Sequence, residues 1–528
     1  MATQDYKPGD IPLEEQDDRK LFCKYHYKGV LLLLIPILLA PILIGTPVMV
    51  TRFIYLTLCF YLIYILNLMA RGAAAFIYMV FIPVAGIASS KQVSVSYYTD
   101  LIFFVYAAIF MGIMMDSSRV SERLAFLVIW LVGGSLKFLQ IFMTIAVLIV
   151  AILVNPTLSA AFWMKVSQAV IAEYDNAGVV KRDSDEKPYE VGSRPYPTRP
   201  VIGIYLTCCY TASFASSLSP VVNPNGVISD VFPGDFTVKE MITIMAGPCV
   251  LGMVIMVFWM QVLFLGLLGG SVKRELAEFE GAKGGFKQAS ADRKQALGPW
   301  GVYSSLALEL IICLFVLVAT RKPRIVDGWD SLTKGAESGL SVPGIGVAVL
   351  FFAIPANYLF CRYYLCRPPE KEGTANSLLG WKAVNNNTPW GEIFMLGAAF
   401  SCVFCANASG FNQFVVDSLS SDDNKELQVW NFLKGALFGT LMTNFSPATT
   451  VAKLTLPTMI KGGNSFALPF ATALHNQFLL PVSSPGNTIV AGWGNLRPFQ
   501  FLMGGSVLAL FMFITIAGFT ALLRTTVL

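Results

Sequence analysis

Hydroxyl and amide side chains, set among prolines inside otherwise apolar runs, are the groups in this chain best placed to do chemistry. They cluster in four stretches: "LVNPTLS" at 153–159, "TASFASSLSPVVNPNGVI" at 211–228, "FSPATTVAKLTLP" at 445–457 and "LPVSSPGNTIVAGWGN" at 480–495. Proline removes an amide donor and stops a regular helix. The backbone groups it frees cannot face hydrocarbon, so each break must turn toward protein or a wet cavity. There, half-helix N-termini offer N–H groups and partial positive charge to an anion. Serine, threonine and asparagine add donors, and their oxygens also suit a hard cation. A carboxylate is the natural guest for that mixture.

The candidate substrate ligands are Asn155 and Thr157 in the first break, Asn225 in the second, Thr449 and Thr450 in the third, and Asn487 in the fourth. Ser216, Ser217, Ser483 and Ser484 are the candidate ion ligands. Taken singly, each could cap a helix or bond a preceding carbonyl. The fourfold recurrence is what points to a site. Lys453 is the sharpest single residue, because an ammonium in hydrocarbon marks a wet path, a paired acid or a ligand. It follows Thr449 by four residues and shares its face if the helix continues. One reading has it meeting a polyanion, the other has it snorkelling to the interface.

The elements holding these breaks must lie in a membrane. Of 528 residues, 55% are hydrophobic and 13% charged, where a soluble domain carries about 25% charge. Apolar runs of about 20 residues recur, as a chain crossing a lipid bilayer many times requires. No phosphate loop, carboxylate pair or nucleophile–base set stands out, so the chain does not read as an enzyme. The net charge of +5 sits in short connectors, and no basic domain exists for nucleic acid. Two histidines, His26 and His475, exclude a histidine-built metal cluster. The cysteines lack the paired spacing of a zinc site or disulfide framework, and no cofactor is implied. The first apolar run begins at Gly29 and reads as an uncleaved helix.

The expected fold is an all-α polytopic membrane protein of the inverted-repeat transporter kind. It has about 11 transmembrane helices, two re-entrant hairpins and interrupted helices. Two breaks fall in each half, and each half's pair ends with an Asn beside Pro or Gly. The expected layout is a cytosolic segment at 1–28, scaffold-like helices at 29–123, and a first hairpin and transport half at 124–239. Scaffold-like helices and connectors follow at 240–390, then a second hairpin and transport half at 391–528. Arg19, Lys20, Lys24 and Lys28 place the first segment in the cytosol, with the connector holding Arg362, Arg367, Lys371 and Lys382 on the same side. A loop with Arg321, Lys322 and Arg324 falls outside and is discordant. The polar stretch at 174–199 reads as a linker between two halves.

Several segments, in order, resemble the divalent anion/sodium symporters, a family of dicarboxylate, citrate and sulfate carriers. They are "FIPVAGIASSKQVSVSYYTD" at 81–100, "GPWGVYSSLALELIICLFVLVATRKPRIVDGWDSL" at 298–332, "WKAVNNNTPWGEIFMLGAAF" at 381–400 and "LLPVSSPGNTIVAG" at 479–492. The resemblance implies a homodimer whose mobile transport domain carries substrate by an elevator-like displacement. It also implies two hairpins bearing Ser-Asn-Thr motifs. Val154, Asn155 and Pro156 stand in place of the first motif, Pro447, Ala448 and Thr449 in place of the second. Asn225 and Asn487 resemble the asparagines of the unwound segments. Both motifs have lost oxygen ligands, so sodium symport and cation-independent uniport or exchange both stay open, with a transport-deficient scaffold as a further alternative. Citrate, succinate or related carboxylates are the implied cargo, with sulfate below them, and the plasma membrane is the family default.

Overall fold

The computed structural model describes residues 18–186, 194–219, 224–231, 238–268, 283–323, 327–333, 338–357, 376–419 and 425–527. Arg324, Arg362, Arg367 and Lys371 of the connectors, and residues 220–223 of the second break, lie outside these. Among the described residues every regular element is helical. Nine helices among the described residues are long and apolar enough to cross a membrane, and Arg71–Val84 and Ser341–Ala353 are shorter apolar helices.

The first half runs α1 (Asp18–Leu39), α2 (Val48–Ile65), α3 (Arg71–Val84), α4 (Ser90–Tyr97), α5 (Asp100–Ser117), α6 (Val120–Val132), α7 (Leu136–Leu153), α8 (Pro156–Asn176), α9 (Arg199–Leu218), α10 (Asn225–Val231) and α11 (Val238–Leu263). After α12 (Lys283–Leu297) come α13 (Val302–Ala319), α14 (Ser341–Ala353), α15 (Trp381–Asn387), α16 (Trp390–Ala408) and α17 (Phe411–Leu419). The last part holds α18 (Lys425–Phe445), α19 (Ala448–Leu454), α20 (Leu456–Met459), α21 (Asn464–Ala473), α22 (Pro485–Gly494) and α23 (Pro498–Val527). Each expected break therefore falls between helices: α7/α8, α9/α10, α18/α19 and α21/α22.

Helical period sorts each span into an inner and an outer face. On α7, Phe138, Ile141, Ile145 and Ile149 are exposed while Leu139, Met143, Val147 and Ala151 are buried. On α11, Val250, Val254 and Phe258 face out, and Met241, Met245, Cys249, Met256 and Met260 pack inward. Apolar residues cover both faces, so the outer face suits lipid rather than water. By contrast α9 is buried almost all round, which makes it a central post with α7, α8, α11 and α22 against it.

Small residues let backbones touch. On α18, Gly435 and Gly439 form a GxxxG spacing, and a Cβ on either would strike the Phe466 or Phe470 carbonyl of α21. Gly112 of α5 lies under the indole of Trp493 from α22, where a side chain would collide with the ring. One turn further, Asp116 pairs with Lys165 of α8 at 2.7 Å, and the Lys165 Nζ sits 4.0 Å over the same indole. This knot ties α5 to α8 and α22. Elsewhere α16 packs on α3 and α4, and α14 on α5.

The polar linker is not a free spacer over its described parts. Thr198 N donates to the Arg182 carbonyl at 3.0 Å, and Asn495 Nδ2 donates to the Arg194 carbonyl at 2.6 Å. Arg497 pairs with Glu186 at 2.6 Å and stacks on Tyr196 at 3.8 Å. The linker is thus stapled to the α22–α23 junction of the second half. The discordant Arg321 also has local work, donating to the Ser338 carbonyl at 2.5 Å. A cation held in a loop hydrogen bond is a poor reporter of topology.

Overpacking a backbone contact costs about 1–3 kcal/mol or more. Gly439→Leu should therefore lower the unfolding temperature of detergent-solubilised protein clearly. Gly518→Leu, at a glycine with open space around it, should change it little.

Candidate functional site

The four breaks meet. A cavity of about 50 Å³ is lined by Asn155, Pro156 and Thr157 from the first break and by Ser213, Ser216 and Pro224 from the second. Pro447, Ala448 and Thr449 come from the third, Ser484, Pro485 and Gly486 from the fourth, and Gln477 from the run just before it. Ala212, with Leu101 and Leu340 at the starts of α5 and α14, completes the wall. No lining residue is ionisable. The volume holds about three or four waters, far below the roughly 300–1,000 Å³ of an open ligand site. The site is therefore closed down in this conformation.

Local sequence explains how each break is held. Asn155 caps α8, its Oδ1 accepting from Thr157 N at 2.8 Å and Leu158 N at 3.4 Å, with Pro156 at the first helical position. Ser484 does the same for α22, accepting from Asn487 N at 3.1 Å ahead of Pro485. Both helix starts border the cavity and stand side by side. A Cβ on Gly486 would come within 3.1 Å of the Ala160 methyl. Two N-termini thus aim their dipoles at one small space.

The two asparagines of the unwound segments play matching parts. Asn225 Nδ2 donates to the carbonyls of Ser217 at 3.1 Å, Ser219 at 3.2 Å and Ser216 at 3.4 Å, groups freed where α9 ends. Asn487 Nδ2 donates to the Gln477 carbonyl and to Ser483 Oγ, both at 3.0 Å, while its Oδ1 accepts from Ser213 Oγ at 3.4 Å. Each amide thereby stands in for the missing helical donors. Asn225 Oδ1 and Ser446 Oγ are buried without a hydrogen-bond partner.

Of the residues expected from the sequence, Asn155, Thr157, Ser216, Thr449 and Ser484 line the cavity directly. Asn225, Asn487, Ser217 and Ser483 lie buried just behind it. Ser216 and Ser217 each donate to a carbonyl three residues back, at 2.7 and 2.6 Å, which leaves their lone pairs as the groups on offer. Thr450 is half-buried and not in the lining, and Lys453 is exposed on α19, also outside it. Ser213 and Gln477 went unnoticed in the sequence. Ser213 lies one turn before Ser216 on the same face, and Gln477 is a polar residue in the run leading to Pro481. Both signals were present.

The family model described as "Sodium:sulfate symporter transmembrane region" matches residues 20–527. The chain is 26% identical to "Protein I'm not dead yet" of Drosophila melanogaster, over 97% of this chain and 95% of that one. It is 22% identical to "Sodium-dependent high-affinity dicarboxylate transporter 3" of Caenorhabditis elegans, over 84% and 78%. With "Na(+)/dicarboxylate cotransporter 3" of Homo sapiens it shares 20% identity over 88% and 87%. The chain belongs to the sodium:sulfate symporter family, a family of multi-pass membrane transporters rather than enzymes.

Removing the Asn225 amide strips buried carbonyls of their donor, at about 1–3 kcal/mol for each buried group left unpaired. Asn225→Ala should therefore unfold at a distinctly lower temperature than Thr450→Ala, as followed by thermal unfolding of purified protein.

Proposed function

We propose that this member of the family is a secondary transporter of di- or tricarboxylates such as succinate or citrate. The convergence of four broken helices, two from each half, on one polar cavity carries the reading. The names of two relatives, both dicarboxylate carriers, support the cargo class. Asn155, Thr157, Thr449 and Ser484, with the starts of α8 and α22, would bind the carboxylates. Asn225 and Asn487 would hold the unwound backbone in shape around them.

The proposed topology has about eleven crossings: α1, α2, α3, α5, α9–α10, α11, α13, α14, α16, α21–α22 and α23. The helix pairs α7–α8 and α18–α19 would be two hairpins entering from opposite faces. In this layout the two halves are inverted repeats, with the N-terminal segment and the 174–199 linker in the cytosol. The scaffold would be α1–α5 with α13, α14 and α16, and would hold a homodimer seam. The remaining packed helices would be the moving part, although α16 follows residue 390, where the sequence layout put the second transport half. Its packing on α3 and α4 supports the scaffold assignment. Leu101 and Leu340 mark the outer ends of α5 and α14, so the cavity stands in its outward position. The plasma membrane remains the proposed location.

A dianion in a cavity without a fixed cation needs positive charge to travel with it or to arise nearby. Sodium is the second reading. The unpartnered oxygens of Asn225 and Ser446 are of the type that ion takes. Against it stand the serines missing from both hairpin motifs.

Two measurements test this. Reconstituted vesicles should take up labelled succinate and citrate saturably, and Asn155→Asp, which keeps the cap but adds negative charge, should suppress uptake more than tenfold. Dependence on a sodium gradient would select symport, and acceleration by internal carboxylate without sodium would select exchange. Absence of flux for carboxylates and sulfate alike would leave a transport-deficient scaffold. The second concerns the seam between α5 and the moving part. Inward displacement must separate Asp116 from Lys165. Since Asp116 is half-exposed, the pair is worth about 1 kcal/mol, so Asp116→Asn should shift the resting population inward roughly fivefold. Spin-label distances between α14 and α22 would read that shift.

A further inference from the structure

The cavity offers an anion two helix starts and several neutral donors, yet no ionisable side chain. One titratable group nevertheless lies close by in the chain and takes no part in holding the breaks. His475 sits in the unwound connection between α21 and α22, two residues before the cavity-lining Gln477. Its side chain is 1% exposed, and neither ring nitrogen has a hydrogen-bond partner.

A neutral imidazole always carries one N–H donor and one lone-pair nitrogen. Both capacities are stranded here, whichever tautomer is present. The side-chain amide nitrogens of the polar neighbours on the same connection are engaged instead, although Asn476 Oδ1 is also without a partner. Asn476 Nδ2 donates to Thr440 Oγ1 at 3.3 Å and to the Ala509 carbonyl at 2.9 Å, and Gln477 Nε2 donates to the Leu474 carbonyl at 3.1 Å. A buried polar group left idle is uncommon and calls for a reason.

The surroundings also lack charge. On α18, Lys434 is nine residues from Thr443, whose hydroxyl donates to the Leu474 carbonyl, which places it roughly 13 Å away along the helix. Lys461 lies beyond the opposite end of α21. Among described side chains, α20 and α23 bring no ionisable group. Asp100, beside the cavity-lining Leu101, is held by the Ser341 hydroxyl. An ionised ring is too costly in such a place without a counter-charge, and the cavity next along the chain is where a counter-charge would arrive.

We propose that His475 is a proton site coupled to the transported anion. The ring is neutral while the closed cavity is empty. When the cavity opens and a carboxylate enters, the ring takes one proton from water, forming an N–H bond, and the anion's field stabilises the imidazolium. The proton leaves to water when the anion does, so one cation accompanies each anion without any bond to the cargo. The inference rests on the carboxylate-transport reading and deepens it. Linkage makes the effect reciprocal, so lower pH tightens anion binding.

The test uses the purified full-length protein and fumarate, whose carboxyls both remain largely ionised between about pH 6 and 8. Calorimetry in two buffers of different ionisation heat counts protons taken up per anion bound. The wild-type protein should take up as much as one proton, with affinity rising toward tenfold per pH unit as pH falls. His475→Gln should bind fumarate with almost no uptake and a flat pH profile, while His26→Gln, at an exposed position on α1, should behave as wild type. Fumarate binding by the wild type without proton uptake overturns the inference alone, even if the Gln variant fails to fold. An unchanged proton count in His475→Gln does the same. No fumarate binding or flux by the wild type overturns the transport reading and this inference together.

Discussion

Unpaired backbone groups cannot be left in hydrocarbon, and the rest of this molecule is arranged around that constraint. Four helices stop partway, each at a proline-bearing stretch. Every stop frees amides or carbonyls that must find partners inside the protein. Side chains supply them: Asn155 and Ser484 cap the helices that restart, Asn225 bonds carbonyls where α9 ends, and Asn487 bonds the Gln477 carbonyl of the unwound run after α21. Because these remedies are polar, the breaks cannot scatter over the lipid surface. They gather in the interior, and a cavity is what remains between them.

The same constraint shapes the helices that are not broken. Buried α9 serves as the post against which three of the broken elements lean, and its Ser216 and Ser217 turn their hydroxyl protons back onto its own carbonyls. Glycines at 112, 435 and 439 bring neighbouring backbones close. Close approach matters more here than in water, since lipid gives no hydrophobic drive for helices to associate. The result is a tightly packed body with a small polar gap where the breaks meet, tied at the other end of α5 by the Asp116–Lys165–Trp493 knot.

Charge is distributed with similar economy. Among the described residues, ion pairs fasten the linker, as Arg497 does with Glu186, and the interior, as Arg71 does with Glu392. None reaches the cavity lining. Under the proposed transport, a negatively charged guest would meet dipoles first, and a cation or proton would have to accompany it. Binding geometry would then come from neutral groups and coupling from a mobile charge.

Much was legible in the residues alone. Proline and asparagine at 155–156, 224–225 and 485–487 dictate chain breaks through lost donors and capping, effects that act over three or four residues. The lipid environment followed from apolar run length, and family membership from ordered segments. What local reasoning could not supply was which polar groups share a space. Ser216 and Ser217 are adjacent in sequence yet only one faces the cavity, because a helix turns 100° per residue. Thr449 reaches the lining while Lys453, one turn on, ends exposed, since the α19 helix is only seven residues long and its packing, not its pattern, sets its direction. Convergence of stretches separated by more than three hundred residues is a property of tertiary packing, where each break must find its partners in another part of the chain.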